Sequence, residues 1–179
     1  MKNTAAVDAI IEQLKSQANP VNVAGMARFG ISPVNTLGIS IPVLRNAARQ
    51  LGRNHELALQ LWDSGIHEAR ILATLVDQPA LVTEEQMELW TAEFDSWDIC
   101  DQCCSNLYSH TPWSYQKALQ WSSRPEEFVK RAGFVMIAVL AVHDKKADNE
   151  KLIQFFPALK SGAADKRNFV KKAINWAIR

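Results

Sequence analysis

Residues 132 to 142 read AGFVMIAVLAV and contain no charged side chain. They lie in a segment that reads as one helix from about 125 to 143, and the run is apolar around almost its whole circumference. A helix at a protein surface keeps a polar face, so a helix without one has to be covered by neighbours on most sides. The chain must therefore supply several partner helices.

Residues 4 to 18 carry Ala6, Ile10, Ile11 and Leu14 at helical spacing, and Pro20 closes that segment. From 20 to 40 the run contains Gly25, Gly30, Pro33 and Gly38, which predicts loops and short turns. Ser40 offers an N-cap, with Pro42 near the helix start and Val43, Leu44, Ala47 and Leu51 on the apolar face. Asn54 caps a further helix that Gly65 ends. Helices follow at about 67–78, 83–94, 97–108, 114–123, 125–143, 149–160 and 165–179, with Thr83 and Gln86 placed for a capping box. No stretch alternates convincingly as a strand. Short helices on short loops predict stacked helix pairs, and a weak repeat agrees: Arg70, Asp101, Arg131 and Lys172 each stand near the start of every second helix. The expected fold is all-α: HEAT-like antiparallel pairs stacked into a curved solenoid whose second helices line a concave wall.

The 179 residues are 47% hydrophobic and 22% charged, enough for one domain with a sizeable core. No apolar stretch reaches the roughly 18 residues that span a bilayer, and the N-terminus lacks a signal pattern. A cytoplasmic monomer without a membrane partner is expected. Cys100, Cys103 and Cys104 form a local cluster unlike a secreted disulfide framework, so reduced thiols are expected. With His110 they also suggest a zinc site, but a helical C-x-x-C lacks the knuckle of structural zinc sites, and no metal or cofactor is assigned. Residues 1–144 hold 11 basic and 16 acidic side chains, a net −5, whereas residues 145–179 hold 9 and 3, a net +6. That basic lobe suits a polyanion or a solvated helix face equally. His55, His67 and His143 have no nucleophile or metal partner at recognisable spacing. There is no glycine-rich phosphate loop, G-x-S-x-G elbow or H-E-x-x-H.

Three stretches carry candidate chemistry. In FDSWDICDQCC, residues 94 to 104, Ser96 is placed to cap a helix whose Ile99, Cys100, Cys103 and Leu107 form one apolar stripe. Trp97, Asp101, Cys104 and Tyr108 gather on another side, with the indole and the carboxylate one turn apart. Trp97 reads as a packing residue and Asp101 as a solvated charge, or the two read as a site. Arg131 ends the uncharged helix: it snorkels, pairs with Asp101, or aims its planar fork at a phosphate. In the last helix Val170, Ala173, Ile174 and Ala177 form the core stripe, while Phe169, Lys172 and Trp176 lie on the adjoining side.

Together with LGISIPVLR at 37 to 45, these pieces resemble the AlkD-like DNA alkylation repair family, HEAT-like repeat proteins that include DNA glycosylases for alkylated purines. The resemblance runs from about residue 25 to 179 and is carried by LGISIPVLR, SWDICD, VKRAGFVM and FVKKAINW in that order. It implies that Asp101 is the catalytic carboxylate, that Trp97 and Trp176 hold the damaged nucleotide's sugar and phosphate, and that Arg131 faces a phosphate. Lys172 joins them in binding DNA. The implied partner is duplex DNA containing cationic purines such as 3-methyladenine and 7-methylguanine. Such a base leaves without prior protonation, so the enzyme has only to stabilise an oxocarbenium-like sugar and guide a water. The family's active-site tyrosine has no counterpart in residues 25 to 29. The single domain, residues 1–179, also stops in mid-helix where relatives continue. A HEAT-like DNA- or protein-binding module without activity stays open beside the glycosylase.

Overall fold

A computed structural model describes residues 4–179, and every regular element among them is helical. The chain divides into two compact units, Met1–Val82 and Thr83–Arg179.

The first unit contains α1 (Thr4–Ser16), α2 (Pro20–Ala27), α3 (Ile41–Leu51), α4 (His55–Asp63) and α5 (His67–Val76). In α1 the buried positions are Val7 and Leu14, with Ile10 and Ile11 half-buried and Ala6 exposed, so the apolar stripe is rotated from the one expected. The helix α2 corrects the expectation of loops after Pro20. Asn19 caps it, accepting from the Val21 and Asn22 amides at 3.1 and 3.2 Å, and Pro20 takes the first helical position, where a missing N–H costs little. Asn54 caps α4 as expected, accepting from the Leu57 amide at 3.0 Å.

The LGISIPVLR stretch is fixed by a carboxylate from another helix. Glu68, in the first turn of α5 and fully buried, accepts from the amides of Leu37 (2.8 Å), Gly38 (2.6 Å) and Ile39 (3.2 Å). Charge-assisted bonds of this kind are roughly twice as strong as neutral ones and hold the three residues in one conformation. Gly38 has φ +79°, and a Cβ there would overlap the Asn19 carbonyl, so the turn needs glycine twice over.

The second unit contains α6 (Glu84–Ala92), α7 (Trp97–Asn106), a short 3₁₀ turn (Tyr108–His110), α8 (Ser114–Ser122), α9 (Glu127–His143), α10 (Asn149–Ile153), α11 (Phe156–Gly162) and α12 (Asn168–Ile178). The expected helix at 149–160 is broken into α10 and α11, with Pro157 in the first turn of the second piece. Thr83 caps α6, accepting from the Gln86 amide at 3.1 Å. As the uncharged run requires, α9 is the centre: Val129 and every residue from 131 to 140 are buried, and α6, α7, α8 and α12 pack on it. Neighbours joined by short loops, α4 with α5, α8 with α9 and α11 with α12, form antiparallel pairs, and the second helices α7, α9 and α12 lie side by side.

Gly133 lets α8 and α9 approach closely, because a Cβ there would overlap the backbone of Ser122 and Trp121. Gly133→Ala should therefore destabilise the protein by about 1–3 kcal/mol. Gly25, inside α2, has nothing within 4 Å of such a Cβ. Gly25→Ala should stabilise by about 0.5–1 kcal/mol, because alanine loses less backbone freedom in a helix. Urea unfolding of the two variants checks both signs.

Candidate functional site

The site is built where α7 meets α9. Cys100 and Cys104 stand one turn apart on α7, and their thiols donate to the carbonyls of Phe128 (3.7 Å) and Ala132 (3.8 Å), themselves one turn apart on α9. This register puts Asp101 opposite Arg131. Arg131 Nε donates to Asp101 Oδ1 at 2.9 Å and Nη2 to Oδ2 at 2.8 Å, a planar two-bond pair. Its third nitrogen, Nη1, donates to the Phe169 carbonyl on α12 at 2.5 Å. One guanidinium thus ties α7, α9 and α12 together. Its carbon lies 5.9 Å from the centroid of the Trp97 ring, within reach of a cation–π attraction. Phe128 and Phe169 contact each other across α9 and α12, with ring centroids 5.6 Å apart.

Of the readings open for Arg131, the structure shows the pair with Asp101. Arg131 is 5% exposed, and its fork points at Asp101 where the resemblance aims it at a phosphate. The Asp101 side chain is 16% exposed against 6% for that of Arg131, so the carboxylate is the member nearer solvent. Burial pushes the Asp101 carboxyl above the ordinary carboxylate range, and Arg131's bonds and charge pull it back. Burial alone would lower the pKa of Arg131, but its bonds to Asp101 and that group's charge raise it above its ordinary value. The guanidinium stays protonated at any accessible pH, so Asp101 is the member that titrates. A carboxylate has about four acceptor positions and the pair fills two, leaving Asp101 able to accept from a further donor.

Ser96 stands at the N-cap position of α7, but its hydroxyl donates to Asp95 at 3.1 Å and closes no cap bond. Cys104 and Tyr108, expected on the side away from the centre of the apolar stripe, are fully buried: α9 covers Cys104, while Tyr108, in the 3₁₀ turn, packs on Trp121 of α8 and donates to the Met87 carbonyl of α6. Burial raises all three of the Cys100, Cys104 and Tyr108 pKa values, so these groups stay neutral.

Trp97, Asp101 and Arg131 are brought together. Lys172 and Trp176 lie further along α12: Phe169 meets Arg131, Lys172 is three residues on and Trp176 seven, about two turns or roughly 10 Å along the axis. Both are exposed, Trp176 by 38%, and with Asn175, Ile178 and Arg179 they line an open depression. Lys130, beside Arg131, is committed to Asp165 at 3.1 Å, and Arg167 grips the same carboxylate through two nitrogens at 3.0 and 2.6 Å. Arg167's bonds, then Lys130's, hold the Asp165 carboxyl well below the usual range. The Phe169 carbonyl had no sequence signal, since a backbone acceptor is the same at every residue. The contact of Phe128 with Phe169 was half visible in their aromatic identity.

Helix pairs stacked side by side, with one largely buried charge pair joining the second helices α7 and α9 and exposed cations and an indole beyond, define a HEAT-like α-helical repeat protein with a polar seam. The chain aligns with a solved structure described as a new family of proteins related to the HEAT-like repeat DNA glycosylases with affinity for branched DNA structures. The TM-score is 0.84 at 16% identity, over 96% of this chain and 73% of that one. The all-α HEAT-like fold expected from the sequence is thus borne out. The chain belongs to the DNA alkylation repair enzyme family, whose profile matches residues 10–179, beginning at Ile10 where the sequence motifs placed the start near Gly25. No curated protein matches the chain.

Removing one partner of a buried ion pair costs about 3–5 kcal/mol, because the other charge is left uncompensated. Asp101→Leu and Arg131→Met should each fall in that range, and the double variant should lose much less than their sum. Urea unfolding of the four proteins measures the coupling. Additive losses would mean that the pair carries no specific energy.

Proposed function

We propose that this protein is a monofunctional DNA glycosylase that hydrolyses the N-glycosidic bond of cationic alkylated purines, 3-methyladenine and 7-methylguanine, in duplex DNA. The observation that carries the reading is the Asp101 carboxyl group, held in place by Arg131 beside the Trp97 ring, with acceptor positions to spare. Membership of the DNA alkylation repair enzyme family supports it.

The chemistry asks little of the protein. Bond cleavage carries the glycosidic electron pair to the purine, which leaves neutral because the lesion was cationic. The positive charge passes to the sugar. The carboxylate of Asp101 stabilises that charge and takes a proton from the water that adds to C1′. Preorganisation comes from Arg131, a positioning residue that fixes the carboxylate before the substrate arrives. Three of its nitrogens are committed, so a phosphate has only its remaining N–H groups to meet, and the main phosphate grip falls to exposed Lys172. Trp97 and Trp176 supply aromatic faces for the sugar and its phosphate.

A second reading is favoured by two observations: both Asp101 oxygens are already engaged, and the aligned structure comes from a family with affinity for branched DNA. On that reading the chain is a HEAT-like module that binds DNA and excises nothing.

Asp101→Asn separates the two. It keeps the shape and removes the charge, so release of free 7-methylguanine from methylated duplex DNA should slow by about 10²-fold or more. Duplex affinity should hold or rise, since a carboxylate near phosphates repels them. Equal release by variant and unmodified protein would remove Asp101 from the mechanism. No release by either, with tighter binding to a four-way junction than to duplex, would establish the second reading.

A further inference from the structure

The first unit carries an arginine cluster that the Asp101 site does not use. Arg45, the last residue of LGISIPVLR, and Arg49 are one turn apart on α3, and Arg53 follows beyond Gly52, where φ is +71°. All three are exposed and line one open depression, whose remaining walls are Ala48, Gly52 and Leu75. No carboxylate lines it. Among the described residues neither the Arg45 nor the Arg49 side chain has a hydrogen bond, ion pair or ring contact, whereas Arg70, Arg124, Arg131 and Arg167 are spent on intramolecular partners. Arg53 is half committed, donating to the Asp77 carbonyl at 2.5 Å.

Folding accounts for little of this arrangement. The Glu68 bonds, the positive φ of Gly38, Pro42 in the first turn and the fully buried Leu44 explain the rest of the motif, and none of them involves Arg45. A cation in the last turn suits the helix dipole, which accounts for Arg49. A second cation one turn earlier repels the first. Three arginines lining one acid-free depression bring planar guanidinium forks, which suit phosphate oxygens, into one place. The absence of aromatic lining gives a base nothing to stack on.

We propose that Arg45, Arg49 and Arg53 form a second DNA contact, gripping the sugar–phosphate backbone without reading sequence; this rests on the reading of the chain as a DNA-binding protein. The contact gives the N-terminal unit a direct part in holding the substrate, independent of lesion chemistry at Asp101.

The test is binding of a fluorescent, undamaged duplex by the full chain across a salt series. Each phosphate neutralised contributes about −0.9 to the log–log slope. Arg45→Ala/Arg49→Ala should make the slope shallower by about 1.8, so the loss of affinity between about 50 and 200 mM salt becomes roughly ten-fold smaller. Arg45→Lys/Arg49→Lys keeps the charges and should stay close to the unmodified slope. Because both positions are exposed, the thermal unfolding midpoint should not move. If the alanine variant keeps the unmodified slope while binding persists, this inference is overturned and the Asp101 reading stands. If the unmodified chain binds no DNA at any salt, both fail.

Discussion

A guanidinium inside an apolar helix has to find its partners on other elements, and in this protein Arg131 finds them on two. The buried face of α9 offers no side-chain oxygen, since its other buried residues are Val, Ala, Gly, Phe, Met, Ile and Leu. Taking a charge out of water costs several kcal/mol after relaxation, and only excellent geometry offsets it. Asp101 supplies two oxygens at 2.9 and 2.8 Å, and the Phe169 carbonyl supplies a third. Meeting that requirement fixes the axial register of α7 and α12 on α9. It also decides which side chains stand together: Trp97 beside the guanidinium, and Lys172 with Trp176 on the helix that donates the carbonyl.

The same device recurs away from this seam. In a chain with no strand among its described residues, irregular segments have no ladder to hold them, so buried carboxylates do that work. Glu68 gathers three consecutive amides of residues 37–39. Asp77, fully buried, meets His55 Nδ1 at 2.6 Å and the Gln78 amide at 2.7 Å, tying the start of α4 to the end of α5. Acid groups are thus consumed in building the fold, while Arg45, Arg49 and Lys172 are left at the surface. A net charge of only +1 is consistent with phosphate binding when the charges are divided in this way.

The helical fold was legible because periodicity reports burial directly. The uncharged run at 132–142 located the central helix, and the caps at Asn54 and Thr83 located two others. The misses have local causes. The helix α2 was hidden by Gly25, read as a breaker although its position is sterically open, and by overlooking Asn19 as a cap before a proline. Cys104 and Tyr108 were placed away from the apolar stripe because the segment 97–108 was treated as having one buried stripe, whereas α9 covers Cys104 and α6 and α8 cover Tyr108. At the site, the approach of Trp97, Asp101 and Arg131 followed from the repeat spacing. The direction of the Arg131 fork did not, because a carboxylate and a phosphate make the same geometric demand and only burial distinguishes them.

On the glycosylase reading proposed above, Arg131 maintains Asp101 as the anion that the chemistry requires, against a burial that favours its neutral form. The most direct test is the pH profile of 7-methylguanine release by the unmodified protein and by Arg131→Gln, with spontaneous release subtracted. A carboxylate base loses activity as pH falls through its pKa, so the unmodified profile should decline on the acid side. Removing Arg131 takes away the bonds and the charge that lower that pKa, so the variant's inflection should move to higher pH. An inflection that stays in place, or moves to lower pH, would contradict the account.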